Sequence, residues 1–411
     1  MEVVHPRCAG MDISKADAKV CVRIQGSGSR ATTSEVSTWG SVTRQVLELR
    51  DFLVGQGVTR VVMEATGDYW KPFYYLFEDA PFETVLANPV RVKAIKGRKS
   101  DVSDAAWLAD LGAHDLVSGS MVPPEPIRQL RDLTRARAGL VQQRTREYQR
   151  LEKLLEDAGI KLTVVASKIT LVSTRRMLEA LIAGERDPVV LADLAKAKLR
   201  TKIPELREAL VGRFNEHHAF MARMRLDLID HHDQAIEKLT ERIEVMIEPF
   251  RALRDLICTI PGVSVLVADV VIAETGADMR VFPTAEQLTS WAGVAPGSNE
   301  SAGRKKSTKA RPGNTYLKAA LGQAAEAASR SKDTYLAAKF QRIVKRRGKK
   351  RALVAVQRSI LNSIWHMAQT GEVYTDLGAD YYRTRDPERT RRHAIAQLEA
   401  LGYHVNLHKV A

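Results

Sequence analysis

The order of the apolar runs in the first ninety residues limits the fold more than any other feature of this chain. Residues 7–26 read RCAGMDISKADAKVCVRIQG. A short apolar run reaches Asp12, a turn follows, and an alternating strand extends from Lys19 to Ile24. Residues 31–39 offer a third strand. Period-two alternation joined by short turns predicts an antiparallel meander. The pattern then changes. A helix is expected from Ser41 to Val54, then the compact strand RVVMEA carrying Glu64, a helical stretch around Lys71 to Glu78, a strand from Glu83 to Asn88, and helical segments through His114. Strands in a meander, followed by strands alternating with helices, give a mixed α/β sheet.

A ribonuclease H-like arrangement fits that order. Within it four carboxylates stand apart. Asp12 closes the first strand and Glu64 the fourth, so both fall where adjacent strands end. Asp101 and Asp104 are three apart at the start of the expected helix RKSDVSDAAWLADL, which sets them on one face. Helix capping by Ser100 or Asp101 is the plain alternative for that pair. Acids gathered at strand ends repel one another unless cations bind them. Mg²⁺ takes oxygen ligands, and two such ions about 4 Å apart suit the attacking and leaving oxygens of a phosphodiester. The chemistry implied is phosphoryl transfer.

PPEP at residues 123–126 marks a rigid break and a domain boundary. A long helix is expected from near Ile127 to about Asp157, its stripe interrupted by Arg144. A second heptad pattern covers roughly Ile203 to Ile247, through Leu210, Phe214, His217, Met221, Met224, Leu228 and His231, then Ile236, Leu239, Ile243 and Met246 after a phase slip. Two long heptad helices form either an antiparallel arm or a dimerising coiled coil. His217 and His218 lie four turns, about 21 Å, from His231 and His232 along one helix, so the two pairs cannot share an ion.

The third region begins near Pro249. Two short apolar helices flank the turn IPGV at residues 260–263, resembling a helix-hairpin-helix whose backbone N–H groups, at Gly262, meet a phosphate; an αα-hairpin in a core is the alternative. After a helix from Gln287 to Ala292 comes GVAPGSNESAGRKKSTKARPGN, residues 293–314. This polar loop holds Ser301 among glycines and the cations Arg304, Lys305, Lys306, Lys309 and Arg311, a composition suited to a phosphate backbone. Helices are expected at Thr315 to Arg330 and Thr334 to Val344, then the cluster of Lys345, Arg346, Arg347, Lys349 and Lys350, and a helix to about Gln369. A charged tail closes the chain.

The reading therefore divides 411 residues into an acidic metal-binding domain (1–122), a helical arm (123–248), a mainly helical domain bearing the serine loop (249–370) and a tail (371–411). Lys plus Arg number 63 against 49 for Asp plus Glu, a net charge of +14. That excess favours an anionic partner, with nucleic acid first. No apolar run approaches the roughly 20 residues of a membrane span, and the opening residues lack a signal peptide's pattern, so a cytoplasmic protein that works on the nucleoid is expected. Three cysteines without a CxxC pair predict free thiols.

With both residue sets in view, the chain resembles the DEDD-type insertion-sequence transposases, the family of bridge-RNA-guided recombinases. Asp12 lies in AGMDISK, Glu64 in VVMEATG, and Asp101 and Asp104 in KSDVSDA, matching the family's acidic tetrad. IPGV, WAGVAPGSNESAG and RPGN match its C-terminal signature. The resemblance implies a RuvC-like N-terminal domain, a coiled-coil arm and a C-terminal transposase domain. It also implies Ser301 as a nucleophile forming a covalent phosphoserine link to DNA, with Ser298 as the fallback. Mg²⁺ (two ions per assembled site), double-stranded DNA, a structured guide RNA and a homo-oligomer, a dimer or a pair of dimers, would be its partners. Three other readings compete. A RuvC-like nuclease would cleave branched DNA with water, a nucleic-acid-binding scaffold would use its acids structurally, and an actin-like sugar kinase would show a second Gly-rich phosphate loop, which this chain lacks.

Overall fold

The computed structural model describes residues 2–95, 103–297, 299–307 and 309–408. The chain divides into two compact units, Met1–Pro123 and Pro124–Ala411.

In the first unit β1 (Arg7–Ile13), β2 (Asp17–Ile24) and β3 (Thr33–Gly40) form the antiparallel meander. β4 (Arg60–Glu64) pairs parallel with β1, and β5 (Glu83–Ala87) parallel with β4. The sheet order is β3-β2-β1-β4-β5, the ribonuclease H-like order expected from the sequence. Successive side chains alternate between its faces. Ala9, Met11, Val61 and Met63 pack against α1 (Thr43–Gly55) and α2 (Trp70–Phe77) through Leu49, Leu53, Phe73 and Phe77. Cys8, Val62, Val85 and Ala87 face the other way, toward Leu108 and Leu111. α3 (Pro89–Ala94) and α4 (Asp104–Ala113) follow β5. β1 and β4 are covered on both faces, which is why CAGM and VVM read as unbroken apolar runs.

The second unit opens with α5 (Glu125–Asp157). Four short helices follow: α6 (Leu162–Val165), α7 (Val172–Ile182), α8 (Pro188–Asp193) and α9 (Ile203–Ala209). α10 (Glu216–Met246) returns along α5. Antiparallel pairing is fixed by cross-links that run in opposite order: Arg137 Nε donates to Thr240 Oγ1 at 2.8 Å, Arg144 pairs with Asp233, and His218 Nε2 lies 2.9 Å from Asp157 Oδ2. Arg144, which interrupts the sequence stripe, thus has a partner on the facing helix.

Two expectations for this arm need correction. The pattern from Ile203 to Ile247 is not one helix. A Cβ on Gly212 would stand 2.5 Å from the Ala158 carbonyl oxygen, so the chain turns there against the end of α5. Asn215 then restarts the helix in a capping box with His218. The phase also differs as far as His231. Ala222, Leu226 and Ile229 are buried, whereas Met224 and Leu228, with their neighbour Phe220, are 45%, 39% and 65% exposed, and His217 and His231 are exposed as well; beyond the slip Ile236 and Ile243 are buried as expected. The seam is set by contact with α5 and α7 and does not continue from residues 203–214.

The rest of this unit is mainly helical: α11 (Arg251–Cys258), α12 (Val265–Thr275) and α13 (Ala285–Trp291), then a hairpin of β6 (Asn299–Ser301) and β7 (Arg304–Ser307), then α14 (Thr315–Ala328), α15 (Tyr335–Arg347) and α16 (Lys349–Thr370). α17 (Tyr381–Thr384) and α18 (Pro387–Ala400) end it. Tyr382 stacks on Tyr335 and lies under the Arg342 guanidinium, 4.5 Å from it, which ties the tail to α15. Among the described residues no helix is long and apolar enough to cross a membrane.

Candidate active site

Asp12, Glu64 and Asp104 come together in the first unit. β1 and β4 pair Gly10 with Val62 and Met11 with Met63, and one further step of the register sets Asp12 beside Glu64. Parity gives both side chains the α4 face, because Asp12 follows Cys8 and Gly10, and Glu64 follows Val62. Adjacent strands are about 4.8 Å apart, so the two carboxylates are close neighbours. α4 arrives over them at an unusually short distance: a Cβ on Gly10 would lie 2.2 Å from the Ala105 carbonyl oxygen and 2.3 Å from the Ala109 nitrogen. The helix begins at Asp104, where the positive end of its dipole favours a carboxylate.

The three acids line one cavity of about 230 Å³, walled by Val92, Ile95, Trp107 and Leu108. Thr66 Oγ1 donates to Glu64 Oε1 at 3.1 Å. The cap of α4 is Ser103, whose Oγ accepts from the Ala106 nitrogen. Ser100 and Asp101 lie outside the described residues. Among those described, no three metal-ligating side chains already converge on one ion position. The donors are nonetheless all carboxylate oxygens, the chemistry that Mg²⁺ takes, and they open toward solvent where a phosphate and waters could complete a shell.

The serine segment is more ordered than a polar loop. Its two arms meet in a neck: a Cβ on Gly297 would lie 2.3 Å from the Lys309 carbonyl oxygen, and one on Gly313 2.4 Å from that of Ala292. Beyond the neck β6 and β7 pair antiparallel, with Ser301 opposite Arg304. Ala302 and Gly303, at φ 49° and 74°, make the two-residue turn with positive φ at both positions that a tight hairpin uses. Ser301 is therefore the last strand residue before the tip, and Ser298 lies outside the described residues. Most of the glycines expected to approach a phosphate bring the segment's own backbone together instead.

Cations surround the neck. Lys309, Arg311 and Lys318 line a cavity of about 640 Å³ with Ser307, and Arg304 is exposed at the tip. The sequence reading missed Lys318, a lone lysine on α14 whose role depends on where α14 begins. Lys345, Arg346, Arg347 and Lys350 are exposed around the break between α15 and α16, while Lys349 Nζ is held by Glu326 Oε1 at 2.8 Å. Gly262 has a packing explanation: at φ 87° in the turn between α11 and α12, its Cβ would strike the backbone of α14 at Ala328 and Ala324.

A second set of residues was not apparent from the sequence. Glu274, at the end of α12, is fully buried. Arg135 of α5 donates to both its oxygens at 2.7 Å, and the Asn314 amide donates to Oε2 at 2.6 Å. Arg131 donates to the Ala273 and Glu274 carbonyls that end the helix. Nearby, burial pushes the Asp269 carboxyl up to about 6, only partly offset by Arg254 at 3.8 Å. Glu244, chelated by Arg254 and Arg251, is held down at about 2.

Residues 9–160 match the DEDD transposase family of IS110 elements, and residues 254–341 match the transposase IS116/IS110/IS902 family. The chain belongs to the IS110 family of DEDD transposases. It is similar to the transposase for insertion sequence element IS1111A of Coxiella burnetii, at 25% identity over 381 residues covering 89% of this chain and 90% of that protein. A 42 kDa protein of insertion element IS900 from Mycobacterium paratuberculosis is 28% identical over 312 residues, covering 67% of this chain and 73% of its own length. The acids of the first unit fall within the DEDD match and the serine hairpin within the second. This transposase is thus an enzyme of an insertion sequence that cleaves and joins DNA, and its DEDD chemistry implies a divalent metal.

Proposed function

We propose that this transposase cuts and rejoins the ends of its element through a covalent phosphoserine, with Ser301 as nucleophile and Asp12, Glu64, Asp101 and Asp104 as the acidic half of the site. The observation that carries this reading is the register that sets Asp12 beside Glu64 under the start of α4, with Asp104 on the same cavity. The four carboxylates would hold Mg²⁺, as two ions, whose charge offsets that of the scissile phosphate. As the Ser301 Oγ–P bond forms, one DNA P–O bond breaks. The serine proton passes to solvent and the released strand end leaves as a hydroxyl. Because the phosphoserine conserves the bond energy, the reverse attack by a strand end rejoins DNA without an external energy source.

Arg304, Lys305, Lys306, Lys309, Arg311 and Lys318 neutralise phosphates beside the serine, with Lys345, Arg346, Arg347 and Lys350 extending the basic surface. A structured guide RNA selects donor and target by base pairing, so the protein grips backbone and shape; the net charge of +14 suits two polyanions. Residues 1–122, 123–248, 249–370 and 371–411 act as acid domain, arm, serine domain and tail. The exposed Phe220, Met224 and Leu228 fall four residues apart on α10, an apolar stripe beside the seam already used by α5, and it supports pairing with a second copy.

Trapping tests the mechanism. With the intact element supplied in cells, wild type accumulates a protein–DNA adduct that Ser301→Ala abolishes and Ser298→Ala retains. Normal cleavage by Ser301→Ala would exclude the serine pathway and leave hydrolysis by activated water.

A further inference from the structure

We infer that Glu274 is a positioning residue for the serine hairpin, fixing its C-terminal stem to the long helix α5 through Asn314 and Arg135. The inference rests on the Ser301 reading for its consequence in catalysis, but its geometry stands independently.

A carboxylate with no solvent exposure at the end of an apolar helix is costly unless every lone pair is met by a strong donor. Here the donors come from two distant parts of the unit. Arg135 approaches in a bidentate fork, 2.7 Å to each oxygen, and its guanidinium also lies 4.8 Å from the centre of the Tyr316 ring. Asn314 supplies the third hydrogen bond, 2.6 Å to Oε2. The same side chain accepts, through Oδ1, from the Leu317 nitrogen and so caps α14. One amide therefore does two jobs that can be separated: its oxygen starts the helix, and its nitrogen ties the start of that helix to Glu274.

That point is the root of the serine hairpin. Asn314 follows Gly313, whose backbone is pressed against Ala292 and Gly293 on the other arm of the neck. Lys309 and Arg311 lie just before it, and Lys318 one turn after it. A two-stranded hairpin with three or four residues per strand has no core of its own, so its placement is inherited from this root. Arg131, bonded to the carbonyls of Ala273 and Glu274, holds the same helix end to α5 a second time. A change in the position of α5 is thereby transmitted to the base of the serine segment.

Asn314→Asp isolates the anchor. Aspartate caps a helix as well as asparagine does, yet it removes the donor facing Glu274 and sets two carboxylates against each other. The double variant Glu274→Gln with Asn314→Asp reverses the polarity of that hydrogen bond and relieves the facing charges, losing the Arg135 Nη2 bond to the same atom while the Nε bond to Oε1 is kept. The full-length protein is expressed with its intact element, adduct formation is timed in cells, and the purified proteins are compared for DNA affinity and melting. The expected result for Asn314→Asp is adduct formation slower on the order of 10- to 100-fold, as for an ångström-scale misplacement. DNA affinity stays within about twofold, while melting falls because the buried Glu274 loses a donor although the cap is kept. The double variant recovers part of the rate, the remainder reflecting the lost Arg135 Nη2 bond.

Three outcomes would overturn the inference: a wild-type rate in Asn314→Asp, a loss of DNA affinity that matches the loss of rate, or no recovery of rate in the double variant. Failure of the underlying mechanism is separately visible, since it appears as an adduct that persists in Ser301→Ala whatever Asn314→Asp does.

Discussion

Gly10→Ala tests the geometry of the acid cluster without touching an acid. The added methyl would stand 2.2 Å from the Ala105 carbonyl oxygen, 2.3 Å from the Ala109 nitrogen and 2.9 Å from the Leu108 carbonyl carbon. All three are backbone atoms of α4, so no side chain can rotate out of the way. Restoring an ordinary contact requires α4 to move off the sheet by roughly 1 Å, and overpacking of this kind costs about 1–3 kcal/mol. The helix carries Asp104 at its first position, while Asp12 and Glu64 stay with the sheet. The acids therefore separate by about the same distance, and a 1 Å misplacement costs on the order of 100-fold in rate. Excision of the element measured in cells should fall by that factor. Hydrogen exchange should quicken in α4 and remain unchanged in α1. Gly55→Ala, at a helix position with open space around it, is the matched control and should leave excision untouched. Wild-type excision with unchanged exchange of α4 in Gly10→Ala would falsify the close strand–helix approach on which the site rests.

Asp12→Asn and Glu64→Gln should abolish excision while melting is kept or raised, since each removes one of two adjacent like charges, and Mg²⁺ should no longer shift the melting of the first unit. Asp269 makes the second unit sensitive to pH. Its carboxyl titrates near 6 in the folded chain against 3.8 in the ordinary range, so the folded state holds the proton more tightly and stability rises as pH falls from about 7 to 5. Below about pH 4.5 the trend reverses, because Glu244, held at about 2 by Arg254 and Arg251, stays ionised in the folded chain while the unfolded chain takes up the proton, so its stabilising contribution is progressively lost toward pH 2. Melting curves from pH 3.5 to 8 should show that maximum. Asp269→Asn should flatten its alkaline side, worth about 1–3 kcal/mol. Lys318→Ala should weaken DNA binding evenly across sequences and lower the slope of log affinity against log salt by about 1; an unchanged slope would remove Lys318 from the phosphate contacts.

How far each element could be read in advance follows from the range of the interactions that define it. β1 to β5 were legible because alternation and apolar runs are local, and Asp12 and Glu64 could be placed because a strand end and a side-chain parity need only counting. α5 was legible from its proline break to Asp157 for the same reason. The interruption before α10 was not. It depends on Gly212 meeting Ala158, and nothing in a heptad pattern records that contact. The first half of the α10 seam, as far as His231, was misread by about one residue because two apolar stripes run side by side and only the facing helix chooses between them. The hairpin at Ser301 was hidden by composition, since strands of three or four polar residues lack the alternation that marks buried ones. Glu274 was invisible because an acid ending an apolar helix reads as a solvated terminus. Its partners, Arg135 and Asn314, lie 139 and 40 residues away.

The acid cluster and the serine hairpin are held by different forces, and this bears on how each tolerates change. Asp12 and Glu64 are fixed by hydrogen bonding within a five-stranded sheet and Asp104 by backbone against backbone, so their arrangement has little dependence on salt or pH. The serine hairpin has no core, and its root is a buried ion pair plus a glycine neck. A steric neck sets how near its arms come, but only Glu274 sets which way the root faces, because Arg135 and Asn314 approach that carboxylate from different elements. Placement by a desolvated charge is stiff while all donors are present and fails abruptly when one is removed. The acids are therefore expected to tolerate substitution of their side-chain neighbours in graded fashion, and the serine segment to respond to single donors in all-or-none fashion. A serine on such a mount can be displaced by movement of one helix, α5, with no change in the hairpin itself.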